Sequence, residues 1–311
     1  MTLAAVRFAL ALAVFAAPAP APDLVIDTGP GPRPWTHLNL ANDPKAFQFA
    51  IVTDRTGGHR EGIFESAVGK LNLLRPEFVM SVGDLVEGYT EDPAEITAQR
   101  DEFDGFVRRL AAPFFYVPGN HDVTNPVMLA SWKERYGRDY HSFVYRGVLF
   151  VGLNSDDPYP AKIGAAQLAW LEKTLAGNRD ARWTLVFLHR PLWDGDKNSG
   201  WDKVEQLLAG RKYTVFAGHQ HNYWKTVRQD MRYITLATTG GGSQLRGLAF
   251  GEFDHVAWVT MSDQGPIVAN LLLGGILDED IVTEQTREIP EKVAAVAPRQ
   301  AVPVFAGAAP R

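Results

Sequence analysis

Short apolar runs alternate with amphipathic stretches along this chain, a rhythm that predicts strands joined by helices. Residues 47–52 (FQFAIV), 78–82 (FVMSV), 112–117 (APFFYV), 183–188 (WTLVFL) and 213–217 (YTVFA) are apolar runs of strand length. Each breaks off in polar residues, as a buried strand does at the edge of a sheet. In residues 61–75, Ile63, Phe64, Ala67, Val68, Leu71 and Leu74 fall at helical spacing, and Pro76 stops the helix. Residues 93–112 and 164–177 repeat the strand, loop, helix order. After Gly137 the pattern changes to paired strands: 142–145 and 148–153 flank an Arg146-Gly147 turn, and 223–228, 232–237, 255–261 and 267–273 look alike. Alternating βα units followed by a hairpin-rich half predict an α/β (α+β) fold of two packed sheets flanked by helices.

The ends of the chain depart from this rhythm. Arg7 followed by the apolar stretch 8–15 and the small-residue site around Ala16 and Ala17 predict a signal peptide over 1–21, hence export to a periplasmic or secreted location. The apolar run is too short to cross a bilayer, so no stable membrane anchor is expected. Residues 22–44, stiffened by Pro30, Pro32 and Pro34, read as a linker and N-terminal extension. Residues 276–311 end in an Ala/Pro/Val-rich stretch without periodicity, expected to be partly disordered, which leaves 45–275 as the folded domain. With 311 residues, 46% of them hydrophobic, there is ample material for a core. No cysteine is present, so stability has to come without disulfides. A net charge of -5 gives no basic field for a nucleic-acid polymer, and a small substrate is expected.

Chemistry collects where the apolar runs end. Asp54, Gly83-Asp84, Gly119-Asn120-His121-Asp122, His189 and Gly218-His219-Gln220-His221 each follow one of them. Any one of these is unremarkable as a polar turn, but the ordered series resembles the calcineurin-like metallophosphoesterase superfamily over about residues 45–275. The resemblance implies a four-layer αββα sandwich of two mixed β-sheets with helices outside. It also implies two divalent or trivalent metal ions, with Asp84 as the shared carboxylate. Asp54 and His221 would bind the first ion; Asn120, His189 and His219 would bind the second. His219 and His221 are expected on an extended segment, pointing the same way. His121 is expected to face the leaving group, with Asp122 orienting its ring. Oxygen and imidazole donors suit Mn, Zn or Fe without selecting among them.

One position departs from the family's pattern. The usual Asp-x-His is Asp54-Arg55-Thr56 here, so an imidazole of the first metal site is missing. Glu87 or His59 could supply the extra ligand, or water could fill a more weakly bound site. Arg55, and less so Arg60, are candidates to hold a substrate phosphate. Trp193, Tyr223 and Trp224 are candidate cleft walls, Gly240-Gly241-Gly242 reads as a flexible rim, and loops 89–95, 156–162 and 193–201 are expected to set selectivity. The expected function is an exported metal-dependent phosphoesterase, hydrolysing a phosphomonoester or phosphodiester through a metal-bound hydroxide. The alternative is a degenerate, non-catalytic protein that binds a phosphate ligand on the same fold. The sequence leaves oligomeric state open.

Overall fold

A computed structural model describes residues 35–36, 40–195 and 197–276. The expected signal peptide, most of the linker and nearly all of the C-terminal extension lie outside the described residues. In chain order the elements are β1 (Phe47–Val52), α1 (Ile63–Leu74), β2 (Val79–Ser81), α2 (Pro93–Val107), β3 (Phe114–Phe115), α3 (Pro126–Tyr136), β4 (His141–Tyr145) and β5 (Val148–Gly152). They continue with β6 (Asp156–Asp157), β7 (Lys162–Ile163), α4 (Ala165–Gly177), β8 (Trp183–Phe187), α5 (Trp201–Leu208), β9 (Tyr213–Ala217), β10 (Trp224–Arg228), β11 (Met231–Thr235), β12 (His255–Ser262) and β13 (Gly265–Leu272).

Strand β1 shows how the layers arise. Its side chains alternate between faces, so Phe47, Phe49 and Ile51 enter one core while Ala50 and Val52 enter another. The first core lies between two mixed sheets, ordered β13-β12-β1-β2-β3 and β10-β11-β9-β8-β5-β4. It is built largely of aromatics: Phe49 stacks on Phe78, with centroids 5.2 Å apart, and Phe150 meets Phe49 edge-on at 5.3 Å. Burying each such ring contributes about 1.5–3 kcal/mol. On the outer face of the first sheet α1, α2 and α3 bury Phe64, Phe103 and Trp132; outside the second, α4 and α5 bury Leu171, Trp201 and Val204. These are the four layers of an αββα sandwich, as the resemblance implied.

The differences from expectation are local. The strand expected over 112–117 shortens to two residues, because the Val117 amide bonds to Ser81 Oγ (2.8 Å) instead of continuing the ladder. Helix α3 was not foreseen: only Met128 and Trp132 of it are buried, too few for a periodic signal. Its boundary residues were legible, since Asn125 caps the Met128 amide, Pro126 opens the helix and Gly137 ends it. Within the loop 156–162, β6 and β7 pair as a small parallel ribbon.

Candidate metal and phosphoester site

The site forms where strands of both sheets end. β1, β2 and β3 are parallel in one sheet, β8 and β9 in the other. Beyond their C-terminal ends stand Asp54, Asp84, Asn120, His189 and His219, with His221 on the same loop as His219. The crowding explains the glycine before Asn120: a Cβ on Gly119 would stand 2.1 Å from Asp84 Oδ1.

Two triads share one carboxylate. Asp84, His189 and His219 form one, and Asp54, Asp84 and His221 the other; within each, ligand atoms lie within 4.8 Å of one another. His189 Nδ1 donates to the Val82 carbonyl (2.9 Å) and His221 Nδ1 to the Gly242 carbonyl (2.5 Å). A carbonyl only accepts, so in both rings Nδ1 carries a proton and Nε2 is the nitrogen left to face the triads. His219 turns its Nδ1 inward, 3.1 Å from His189 Nε2. Asp54 is fully buried, and its Oδ1 accepts the His219 amide (2.8 Å) while its Oδ2 accepts the Thr53 hydroxyl. Burial works to raise its carboxyl. The His221 hydrogen bond, the charges of His189 and His221, and the Thr53 hydroxyl win, holding it at about 2. Burial likewise works against charge on His189, yet Asp84 and Asp54 raise it to about 9. Burial, His189 and Arg190 together lower His219 to about 3. Buried carboxylates that favour positive charge so strongly suit cations.

Asn120 supplies an independent fit to a metal. Its Nδ2 donates to the Tyr89 hydroxyl (2.9 Å), and its Oδ1 is buried with no hydrogen-bond partner. An orphaned acceptor in such a place is costly unless something of positive character meets it. The donor set, oxygen and imidazole without sulfur, is that of first-row divalent or trivalent ions.

His121 faces the site. Its Nδ1 lies 2.6 Å from the Glu87 carbonyl, its Nε2 lies 3.8 Å from Asp84 Oδ2, and Tyr89 packs edge-on to its ring at 4.6 Å. Asp122 does not orient that ring, contrary to expectation. Its Oδ1 accepts the Leu85 and Val86 amides (3.0 and 3.2 Å) and its Oδ2 the Gly119 amide (2.7 Å). It ties the Asp84 and Asn120 loops together. Burial first, then the Asp84 charge, push its carboxyl up to about 6.

Six other expectations are corrected. Arg55 is not free for a substrate phosphate: its guanidinium is buried against Glu102 (2.9 Å), the Leu85 carbonyl (3.3 Å) and the Phe106 ring. Arg60 is committed to Asp254 and the Gly241 carbonyl. Glu87 and His59 belong to neither triad. Glu87 Oε1 instead accepts the His59 amide and Nδ1, both at 2.9 Å, and Gly57 closes over the site, where a Cβ would lie 3.3 Å from His221 Nε2. His219 and His221 lie on a left-handed turn (φ 74° and 53°), not an extended segment. Gly240 and Gly241 are buried, Gly242 is half-buried, and the run is pinned, with the Gly241 amide on the Asp54 carbonyl (2.9 Å) and the Gly242 amide on that of Gly57 (3.2 Å). Of the candidate walls, Trp193 is a core residue.

The sequence reading missed Arg190, Asp156 and Tyr89. Arg190 Nη1 lies 2.7 Å from His219 Nε2 and its Nε bonds both oxygens of buried Asp156 (3.0 and 3.1 Å). Its place directly after His189 was the available signal; its partner 34 residues upstream was not visible.

The sequence profile of the calcineurin-like phosphoesterase family matches residues 47–223. Serine/threonine-protein phosphatase CPPED1 of Bos taurus is 33% identical over 181 residues, covering 50% of this chain and 58% of that protein. Its Homo sapiens counterpart is 30% identical over 201 residues, covering 57% and 64%. The chain therefore spans less than two thirds of the length of these curated relatives. A dimetal phosphatase from Danio rerio shares the fold, with a TM-score of 0.51 at 13% identity over 73% of this chain and 99% of that one. A profile match across more than half of the 311 residues, on a fold shared with a dimetal phosphatase, makes this chain a member of the calcineurin-like phosphoesterase family.

Proposed function

We propose that the protein is an exported, metal-dependent hydrolase of phosphomonoesters or phosphodiesters. The carrying observation is that Asp84 belongs to both triads, with the unpartnered Asn120 Oδ1 beside them. Cations held by these residues would supply an acidified water and neutralise charge on the phosphoryl group. The chain's own groups do the rest. Asp84, Asp54 and Asn120 offer oxygens, while His189, His219 and His221 offer nitrogens whose opposite atoms are anchored. His121, its Nδ1 donating to the Glu87 carbonyl, would serve the leaving oxygen as an imidazolium, the form in which Nε2 also carries a proton. The names of the bovine and human relatives favour a phosphomonoester within this reading. Export rests on Arg7, the apolar stretch 8–15 and the small-residue site that follows it; cell fractionation with N-terminal sequencing tests it.

The decisive experiment loads the purified chain with manganese or zinc, counts ions per chain and assays aryl phosphomonoesters and phosphodiesters. Two ions with hydrolysis are expected. Two ions with neither ester cleaved would leave the non-catalytic phosphate binder as the better reading.

A further inference from the structure

We propose that Arg190, presented by Asp156, is the guanidinium that holds the substrate's phosphoryl oxygens. The assignment deepens the phosphoesterase reading and rests on it. Three observations carry it.

Arg190 is built into place. Its amide donates to Ser155 Oγ (3.0 Å), its Nε is gripped by both oxygens of Asp156, and the Asp156 side chain is fully buried. Fixing the guanidinium from behind in this way leaves its front nitrogens oriented at little further entropy cost.

The contact those front nitrogens make now is incompatible with a bound metal. A guanidinium only donates, so Nη1 at 2.7 Å needs His219 Nε2 as acceptor. In a neutral imidazole only one nitrogen accepts. Once Nδ1, the atom facing His189, gives its lone pair to a cation, Nε2 carries the proton and offers Arg190 nothing. The guanidinium then needs another acceptor beside the metal site. A tetrahedral oxyanion held by the cations matches both its charge and its fork.

The competing cations are elsewhere engaged, Arg55 by Glu102 and Arg60 by Asp254. Arg190 also acts close to Asn120: its charge is felt at the Tyr89 hydroxyl, which accepts from Asn120 Nδ2.

The test uses the metal-loaded full chain and inorganic phosphate as probe, with titration calorimetry and metal content measured on wild type, Arg190→Ala, Arg190→Lys and Asp156→Asn. Arg190→Ala is expected to keep its metal and to weaken phosphate binding about 10-fold to 100-fold, the size of one charge-assisted hydrogen bond. Arg190→Lys, which keeps the charge and loses the fork, and Asp156→Asn, which loosens the grip, should fall between. With an aryl phosphate, KM should rise more than kcat falls. Unchanged phosphate affinity in Arg190→Ala overturns the assignment, and so does loss of metal, which would make Arg190 a support for His219. The two readings fail separately. Phosphate binding that depends on Arg190 without hydrolysis sinks the enzyme and keeps the clamp; hydrolysis with unaltered phosphate affinity in Arg190→Ala does the reverse.

Discussion

His121 and Asp122 are chain neighbours with different duties, and their separation decides what a mutation of either would report. His121 Nε2 faces Asp84 across 3.8 Å, whereas both Asp122 oxygens are occupied by main-chain amides. His121→Ala should therefore keep two metal ions and lower turnover by about 10²–10⁴-fold, the usual range for a general acid. The loss should be greatest for substrates with poor leaving groups, because a good leaving group departs without a proton. Equal losses across a series of aryl and alkyl phosphates would remove His121 from that role. Both residues were legible as site members from the Gly-Asn-His-Asp stretch. Their relation was not, since adjacency in sequence says nothing of which amide a carboxylate meets.

Between elements, the loop after β1 is held by one after β2. Glu87 accepts from Gly58 and His59, and its carboxyl lies at about 2: burial works upward, while the Thr56 hydroxyl and the amide and ring of His59 pull it down. A carboxyl lower in the folded state than its usual 4.5 adds stability above pH 4.5 and loses it as pH falls toward 2. Its side chain is 37% exposed, so that share of stability is small. The stronger consequence concerns the metal. Glu87→Ala is expected to retain two ions per chain while the amides of residues 58 and 59 exchange faster with solvent. Loss of one ion would return Glu87 to the ligand set and reopen the question of the missing imidazole.

Across the whole molecule, the ion pair that ties α5 to the second sheet makes stability pH-dependent far from the site. Glu205 is nearly buried and accepts from Arg228 Nε (2.7 Å), Arg228 Nη2 (3.1 Å) and the Tyr233 hydroxyl (2.9 Å). Burial alone would raise its carboxyl, but these partners lower it below the ordinary value. Its contribution is present above about pH 4.5 and disappears as pH falls through the lowered folded value. Glu205→Gln should cost about 1–3 kcal/mol at pH 7. Thermal melts from pH 7 to 3 should then show the gap between wild type and variant closing on the acid side. A gap that stays constant would show that the pair contributes through packing instead of charge.

Apolar patterning by itself pointed to two packed sheets flanked by helices, and the resemblance supplied the four-layer αββα order. Phe47, Phe49 and Ile51 alternate with Ala50 and Val52, and a strand apolar on both faces is one that a layer covers on each side. The residues that end the apolar runs likewise marked Asp54, Asp84, Asn120, His189, His219 and His221, because strands that pack in parallel bring their C-terminal ends to one edge. What the tertiary structure alone decided is which polar groups remain free once that edge is assembled. Arg55 and Arg190 are each adjacent to a proposed ligand in sequence, yet Arg55 turns into the helices to meet Glu102 while Arg190 is turned toward His219 by Asp156. Those partners lie 47 and 34 residues away, and a guanidinium goes where its carboxylate is.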